Sequence, residues 1–242
     1  MHRRLSLLST LFASGCAVTG FERQHYQSAL GGPSYAPSSS LGYDPGRPLN
    51  HAQGWIGVTE LNIDNLDIDP SLGSADGSTS TEMPLIGGAM QFPFVGKRRI
   101  HFGIEGGFSF GFRSNIEAFA FGSNGAVVVT DNDVFLTDLF LGAYSDADLG
   151  QSFRIYGGVG PVLQFGSIDY DYQDPVLGQV RVNDDGFGTG YYGRVGFEFK
   201  LSPASAIGMS YRYVDSNLDF GGLVHGMDLE QDQYMVTFTE SY

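Results

Sequence analysis

Apolar and polar residues alternate with a period of two between Gly186 and Lys200. Successive side chains of a strand leave opposite faces, so the alternation predicts a strand with an aromatic face opposite a face of glycine and charge. The first face holds Phe187, Thr189, Tyr191, Gly193, Val195, Phe197 and Phe199, and the second holds Gly188, Gly190, Tyr192, Arg194, Gly196, Glu198 and Lys200. Residues 202–205 have the composition of a tight turn, and residues 206–214 alternate again. Together these stretches predict a β-hairpin.

The same alternation recurs along the chain and predicts eight strands. They lie at 54–63, 83–95, 99–113, 133–146, 152–168, 186–200, 206–220 and 232–242. In the first strand the pattern is weaker, and we expect Trp55 and Leu61 on the apolar face with Glu60 opposite. The long connections between strands lie at 64–82, 114–132, 169–185 and 221–231. Because short turns alternate with long loops, the pattern predicts an all-β, up-and-down transmembrane barrel with periplasmic turns and extracellular loops.

The chemistry of the two faces indicates which one lines the barrel interior. A soluble eight-stranded barrel would turn its apolar side chains inward, around a ligand. Here the other face is rich in glycine and carries charges of both signs, which can pair inside a narrow barrel filled by side chains. We therefore expect the aromatic face to meet lipid, where closure of the barrel satisfies every backbone group. The predicted lumenal charge network is Glu60, Glu105, Asp138, Arg154, Arg194, Glu198 and Arg212.

The start of the chain has the features of a secretory signal. A short basic segment precedes an apolar stretch at 5–13, and an Ala-Ser-Gly-Cys sequence ends at Cys16. This sequence resembles a bacterial lipobox, although Ala13 stands where that motif most often has leucine. The resemblance implies that Cys16 is lipidated and becomes the mature N-terminus. Ordinary signal cleavage beside Gly15 or Ala17 is the alternative.

The predicted organisation is a signal peptide at 1–16, a flexible linker rich in Pro, Ser and Gly at 17–53, and a barrel at 54–242. The barrel ends on the aromatic Tyr242, which resembles the terminal recognition signal of outer-membrane barrels, although Glu240 departs from it with a carboxylate on the lipid face. The signal, the strand number, the loop asymmetry and the terminal aromatic together resemble the small OmpA/OmpX-like barrel superfamily. That resemblance implies a location in the bacterial outer membrane.

Composition narrows the possible partners. The net charge of −14 disfavours nucleic acid, and a single cysteine leaves no internal disulfide. Aspartates cluster at several places, but none of the clusters has the spacing of an EF-hand loop. We expect no cofactor and no dedicated metal site, only weak bridging of divalent cations to lipopolysaccharide. The clusters are Asp64, Asp67 and Asp69; Asp131 and Asp133; Asp169, Asp171 and Asp174; and Asp184 and Asp185.

Enzymatic chemistry finds little support in the sequence. Some small barrels act on lipid A, and those that resemble the deacylase need a histidine and a serine two residues apart on a late strand. Here His225 is followed by glycine and methionine. A lumenal His101 would share a face with Glu105 and Ser109, but their spacing along a strand separates the three side chains. We predict that His101 is satisfied by a carboxylate, and we assign no catalytic residue.

The predicted function is therefore structural and interactive. We expect a barrel closed to solutes that contacts outer-membrane lipids and lipopolysaccharide and displays acidic extracellular loops for recognition. A narrow channel for small solutes, resembling OmpW, is the first alternative, and a lipid-modifying enzyme is the second. The sequence does not identify the surface partner.

Overall fold

The computed structural model describes residues 49–68, 79–97, 99–121, 127–174, 178–221 and 224–242. Eight antiparallel strands run up and down, and β8 pairs with β1 to close a barrel. No helix in these ranges is long and apolar enough to cross a membrane. The predicted fold class is confirmed. The strands are β1 (His51–Ile68), β2 (Thr79–Lys97), β3 (Ile100–Phe121), β4 (Val127–Asp148), β5 (Phe153–Asp174), β6 (Gly178–Lys200), β7 (Ser205–Phe220) and β8 (Val224–Ser241).

The start of β1 and the end of β8 lie side by side at one end of the barrel, which we call the turn end. The Asn50 amide donates to the Tyr242 carbonyl at 3.1 Å, and the Tyr242 amide donates to the Asn50 carbonyl at 3.0 Å. The hydroxyl of Ser202 accepts from two amides of the turn between β6 and β7, as its composition predicts. Because β1 begins at His51, residues 51–53 belong to the barrel and not to the predicted linker.

An apolar band surrounds the outside of the barrel. Every strand contributes outward-facing apolar residues to this band. Several of its phenylalanines contact one another across strands, as Phe153 does with Phe199 in an edge arrangement with 5.2 Å between ring centroids. On β3 the band runs from Ile100 to Phe112. At ~3.3 Å per residue and a tilt near ~40°, that stretch spans roughly 30 Å, enough to cross the apolar part of an outer membrane.

Beyond this band, at what we call the extended end, the polarity of the wall inverts. Outward-facing positions become acidic, and the side chains inside become apolar. Water replaces lipid outside the barrel there, so the arrangement is that of a soluble barrel with its own core. The exposed acids include Glu60, Glu82, Asp185, Asp219 and Glu230. The buried core, which we call the extended-end cluster, consists of Leu61, Met83, Val134, Leu136, Ile168, Leu218, Phe220, Met227 and Leu229.

The structure corrects the face assignment in β1, where the inversion accounts for Leu61 but not for Trp55, which stacks on lumenal arginines within the band. Trp55 and Leu61 were expected to face lipid, but they lie inside the barrel and are 3% and 1% exposed. Glu60 was expected in the lumen, but it is exposed on the outer face. Ile56 and Val58 share the outer face with Glu60 and lie within the apolar band, whereas Glu60 lies beyond it at the extended end. The strands also continue beyond the band into the stretches predicted as long loops, as β5 does to Asp174.

Candidate functional site

Three buried ion pairs occupy the lumen. Arg154 pairs with Glu198 on the neighbouring strand. Arg194 Nη2 lies 2.5 Å from Glu105 Oε2, and this pair joins β6 to β3 across the barrel interior. A second cross-lumen pair places Arg212 Nη2 2.8 Å from Asp138 Oδ2 and joins β7 to β4. Each charge is thus neutralised at short range, as a buried ion requires.

The three arginines also stack on aromatic rings. Guanidinium carbons lie between 4.7 Å and 5.8 Å from the ring centroids, within the range of cation–π attraction. Arg194 lies between two rings, and so does Arg212, so that arginines and aromatics alternate without a gap. The order of this stack is Arg154, Tyr156, Arg194, Trp55, Arg212 and Phe140.

Glutamines complete the network, and the sequence analysis did not identify them. The Gln53 amide nitrogen donates to Glu198 at 2.7 Å, and its oxygen accepts from Arg194 at 2.8 Å. Gln164 donates to Asp138 at 2.8 Å. Arg212 Nε donates to Gln233 at 2.6 Å. Gln164 and Gln233 share the inward face of their strands with predicted lumenal residues, and that shared face was the available signal.

Glycines on the same face make room for these long side chains. A Cβ at Gly158 would collide with the carboxylate of Glu105, and a Cβ at Gly196 would collide with the ring of Tyr156. The resulting interior is filled, because Glu105 and Arg212 have no exposed surface in the middle of the barrel. An eight-stranded barrel is narrow enough for side chains to fill in this way.

Six of the seven predicted network residues therefore meet in the lumen, and Glu60 does not. Glu60 lies outside because Thr59 and Leu61 take the inward positions of β1. Cys16, the predicted lipidation site, lies outside the described residues, and its modification stays a prediction.

At the turn end of the lumen, two histidines lie near the carboxylate of Asp146. His101 Nδ1 lies 2.8 Å from Asp146 Oδ1, and His51 Nε2 lies 3.9 Å from the other carboxylate oxygen. The carboxylate that the sequence predicted for His101 is therefore that of Asp146. Ser109 donates to Asp138 at 2.7 Å, so its hydroxyl is bound to a carboxylate. Within the described ranges, no three His, Cys, Asp or Glu side chains form a group that could hold a metal ion.

The stretch predicted as an acidic loop at 169–185 is largely β-hairpin. β5 continues to Asp174 and β6 begins at Gly178, with paired positions from Asp169↔Asn183 to Asp174↔Gly178. Where the apolar band meets the extended end, the hydroxyl of Tyr191 donates to the carboxylate of Asp215 at 2.5 Å, and that of Tyr211 donates to Asp232. The acids of this end thus sit on a hydrogen-bonded sheet that extends beyond the membrane-facing band.

A family model described as "Outer membrane protein beta-barrel domain" matches residues 48–239. No curated protein sequence gives a significant match. Solved structures with a similar fold include OprG from Pseudomonas aeruginosa, at 12% identity and a TM-score of 0.50, covering 81% of this chain and 97% of that one. Ail of Yersinia pestis is 14% identical, with a TM-score of 0.44, over 80% of this chain and 99% of that one. The protease OmpT of Escherichia coli is 9% identical, with a TM-score of 0.48, over 84% and 99%. At these identities the likeness concerns the fold alone.

Proposed function

The chain belongs to the outer membrane protein β-barrel domain family, and from this premise we propose that it is a closed barrel whose extended end recognises a partner at the bacterial cell surface. In this proposal the lumen passes no solute. The outward apolar band contacts outer-membrane lipids and lipopolysaccharide. The strands beyond the band hold the recognition surface away from the membrane.

The filled lumen is the observation that carries the proposal. Arginines, carboxylates and aromatic rings occupy the middle of the barrel, and the extended-end cluster packs above them. A conducting path would have to break ion pairs that span the interior, such as Arg194–Glu105. Breaking such a pair is costly because it leaves a buried charge without a partner.

The outward acids support the recognition part of the proposal. Glu60 and Glu82 are paired neighbours on β1 and β2, and Asp215 is paired with Glu230 on β7 and β8. Like charges at directly opposed positions destabilise a sheet, so a sequence that retains them gains something other than stability. A negative field at this end attracts cations and basic protein surfaces and repels anions.

Conductance tests the closed lumen. The purified full-length protein in a planar bilayer should give no steady single-channel current. Steady current would favour the alternative of a narrow channel for small solutes.

Binding of a cationic probe tests recognition. A truncated variant would join Tyr170 to Val182, a register pair, through an Asn-Gly turn. In lipid nanodiscs this variant should bind fluorescent decalysine more weakly than the wild type, and its heat-modified gel mobility should be retained. A full-length variant with Asp171 and Asp174 changed to Asn and Arg181 changed to Gln is the matched control, because it loses the same charges without losing the hairpin. Undiminished binding by both variants would contradict recognition at this hairpin.

A further inference from the structure

The sheet contains a slot between β2 and β3 at the extended end. Their pairing ends at Leu85↔Gly111, although both strands continue beyond that point. Residues 79–84 of β2 pair with β1, and residues 112–121 of β3 pair only with β4 within the described ranges. Two strand edges therefore face each other without a ladder between them.

Two local features explain why the ladder stops. The first is Pro84, which has no N–H to donate to a neighbouring strand. The second is an irregularity in β3, where the register with β4 shifts between Arg113 and Ile116. An extra residue in one strand bends it and increases its twist. Both features weaken the pairing of β3 with β2 at this point.

An arginine side chain takes the place of a missing strand at the slot. Arg113 Nη1 donates to the Glu82 carbonyl at 2.7 Å, and this is a side chain binding a backbone acceptor on the facing edge. The Glu82 carbonyl therefore points into the slot. Alternate residues of a strand direct their backbone groups to the same edge, so the backbone groups of Ser80 point the same way. Arg113 is exposed, so water and solutes reach the contact.

We propose that this slot is a strand-addition site, at which the β3 edge from Phe112 to Phe121 pairs with an extended segment of a basic partner protein. A free edge presents a row of backbone donors and acceptors that an incoming strand can satisfy. The β3 edge continues to Phe121 and supplies the register. This inference rests on the proposed function and names the class of partner and the contact.

Charge decides between a second copy of this chain and another partner. Glu60 and Glu82 are exposed beside the slot, and the whole chain carries a net charge of −14. Edge-to-edge pairing of two copies would bring like charges together. A partner segment with lysine or arginine on one face would instead place its positive charges beside Glu60 and Glu82, which is favourable. Apolar residues would occupy the other face of this segment.

The test compares two short fluorescent peptides of alternating lysine and valine, one of them N-methylated at every residue. Methylation removes the backbone donors of both edges and leaves the charge unchanged. Wild-type protein in nanodiscs should bind the methylated peptide about tenfold more weakly or worse, because several backbone hydrogen bonds are lost. Arg113→Ala should tighten binding of the unmethylated peptide only, since it frees the Glu82 carbonyl. The heat-modified mobility of this variant checks that it is folded.

The outcomes separate the two proposals. Equal binding of both peptides by the wild type would overturn strand addition and leave recognition of cations standing. Binding of decalysine without binding of either alternating peptide would likewise overturn strand addition and leave recognition of cations standing. Failure of every cationic probe to bind would overturn both proposals.

Discussion

Removing Arg194 tests whether the buried stack holds the barrel together. This side chain is 2% exposed and pairs with Glu105. Its guanidinium also stacks between the rings of Tyr156 and Trp55. Arg194→Ala leaves the Glu105 carboxylate, which has no exposed surface, without its cation. Breaking a buried pair in this way costs about 3–5 kcal/mol, or a factor of at least ~100 in the unfolding equilibrium.

The assay is urea unfolding in detergent micelles or lipid vesicles, followed by heat-modified gel mobility and by the fluorescence of Trp55, the sole tryptophan. Arg99→Ala is the matched control, because Arg99 is exposed in the turn between β2 and β3. Its loss should change the free energy of unfolding by less than about 0.5 kcal/mol. Since a buried pair can be replaced by apolar groups at little cost, the double change Arg194→Met with Glu105→Leu should recover most of the stability.

Two results would refute this reasoning. One is an Arg194→Ala variant as stable as Arg99→Ala, which would mean that the lumenal pair is not energetically buried. The other is a double variant as unstable as the single one, which would mean that the guanidinium acts through its stacking on rings and not through the charge of Glu105.

Three further predictions address other parts of the chain. Gly158→Ala should destabilise the barrel by about 1–3 kcal/mol in the same unfolding assay, because the added Cβ collides with Glu105. Gly193→Ala should be neutral, because a Cβ there would meet no atom within 4 Å. Equal effects of the two changes would contradict the packing described for the lumen. Leu218→Ala should cost about 2–5 kcal/mol, because this fully buried side chain belongs to the extended-end cluster, and the exposed Asp219→Ala should cost little; the reverse order would place the cluster outside the barrel. Intact-mass analysis of membrane-extracted protein should show a mature chain that begins at an acylated Cys16, and a chain that begins after Cys16 would exclude lipidation.

The period of two along the chain was enough to predict eight strands, their antiparallel order and most of their faces. Phe187, Tyr191 and Val195 face lipid and Tyr192, Arg194 and Glu198 face the lumen, because a strand allows only two faces and the apolar one must meet lipid. The same rule identified four more lumenal charges on other strands: Glu105, Asp138, Arg154 and Arg212. This information is local, so a single sequence contains it.

The position at which the wall inverts its polarity was not available from the pattern. A strand that leaves the membrane keeps alternating, but its apolar face moves from outside to inside, so Leu61 and Glu60 exchange their expected places. The alternation alone does not distinguish this change from a shift of register. The height of each residue relative to the apolar band depends on the neighbouring strands, and that height decides which face meets water.

The pairing of the lumenal charges also depended on tertiary structure. Arg194 meets Glu105 and Arg212 meets Asp138 across the interior, between strands that are not neighbours in the sheet. Their distance apart is set by barrel closure and by the glycines opposite them, and no local pattern encodes it. The slot between β2 and β3 also required the structure, because Pro84 and the irregularity after Arg113 lie on different strands and act together only when the β2–β3 hairpin brings the two edges side by side.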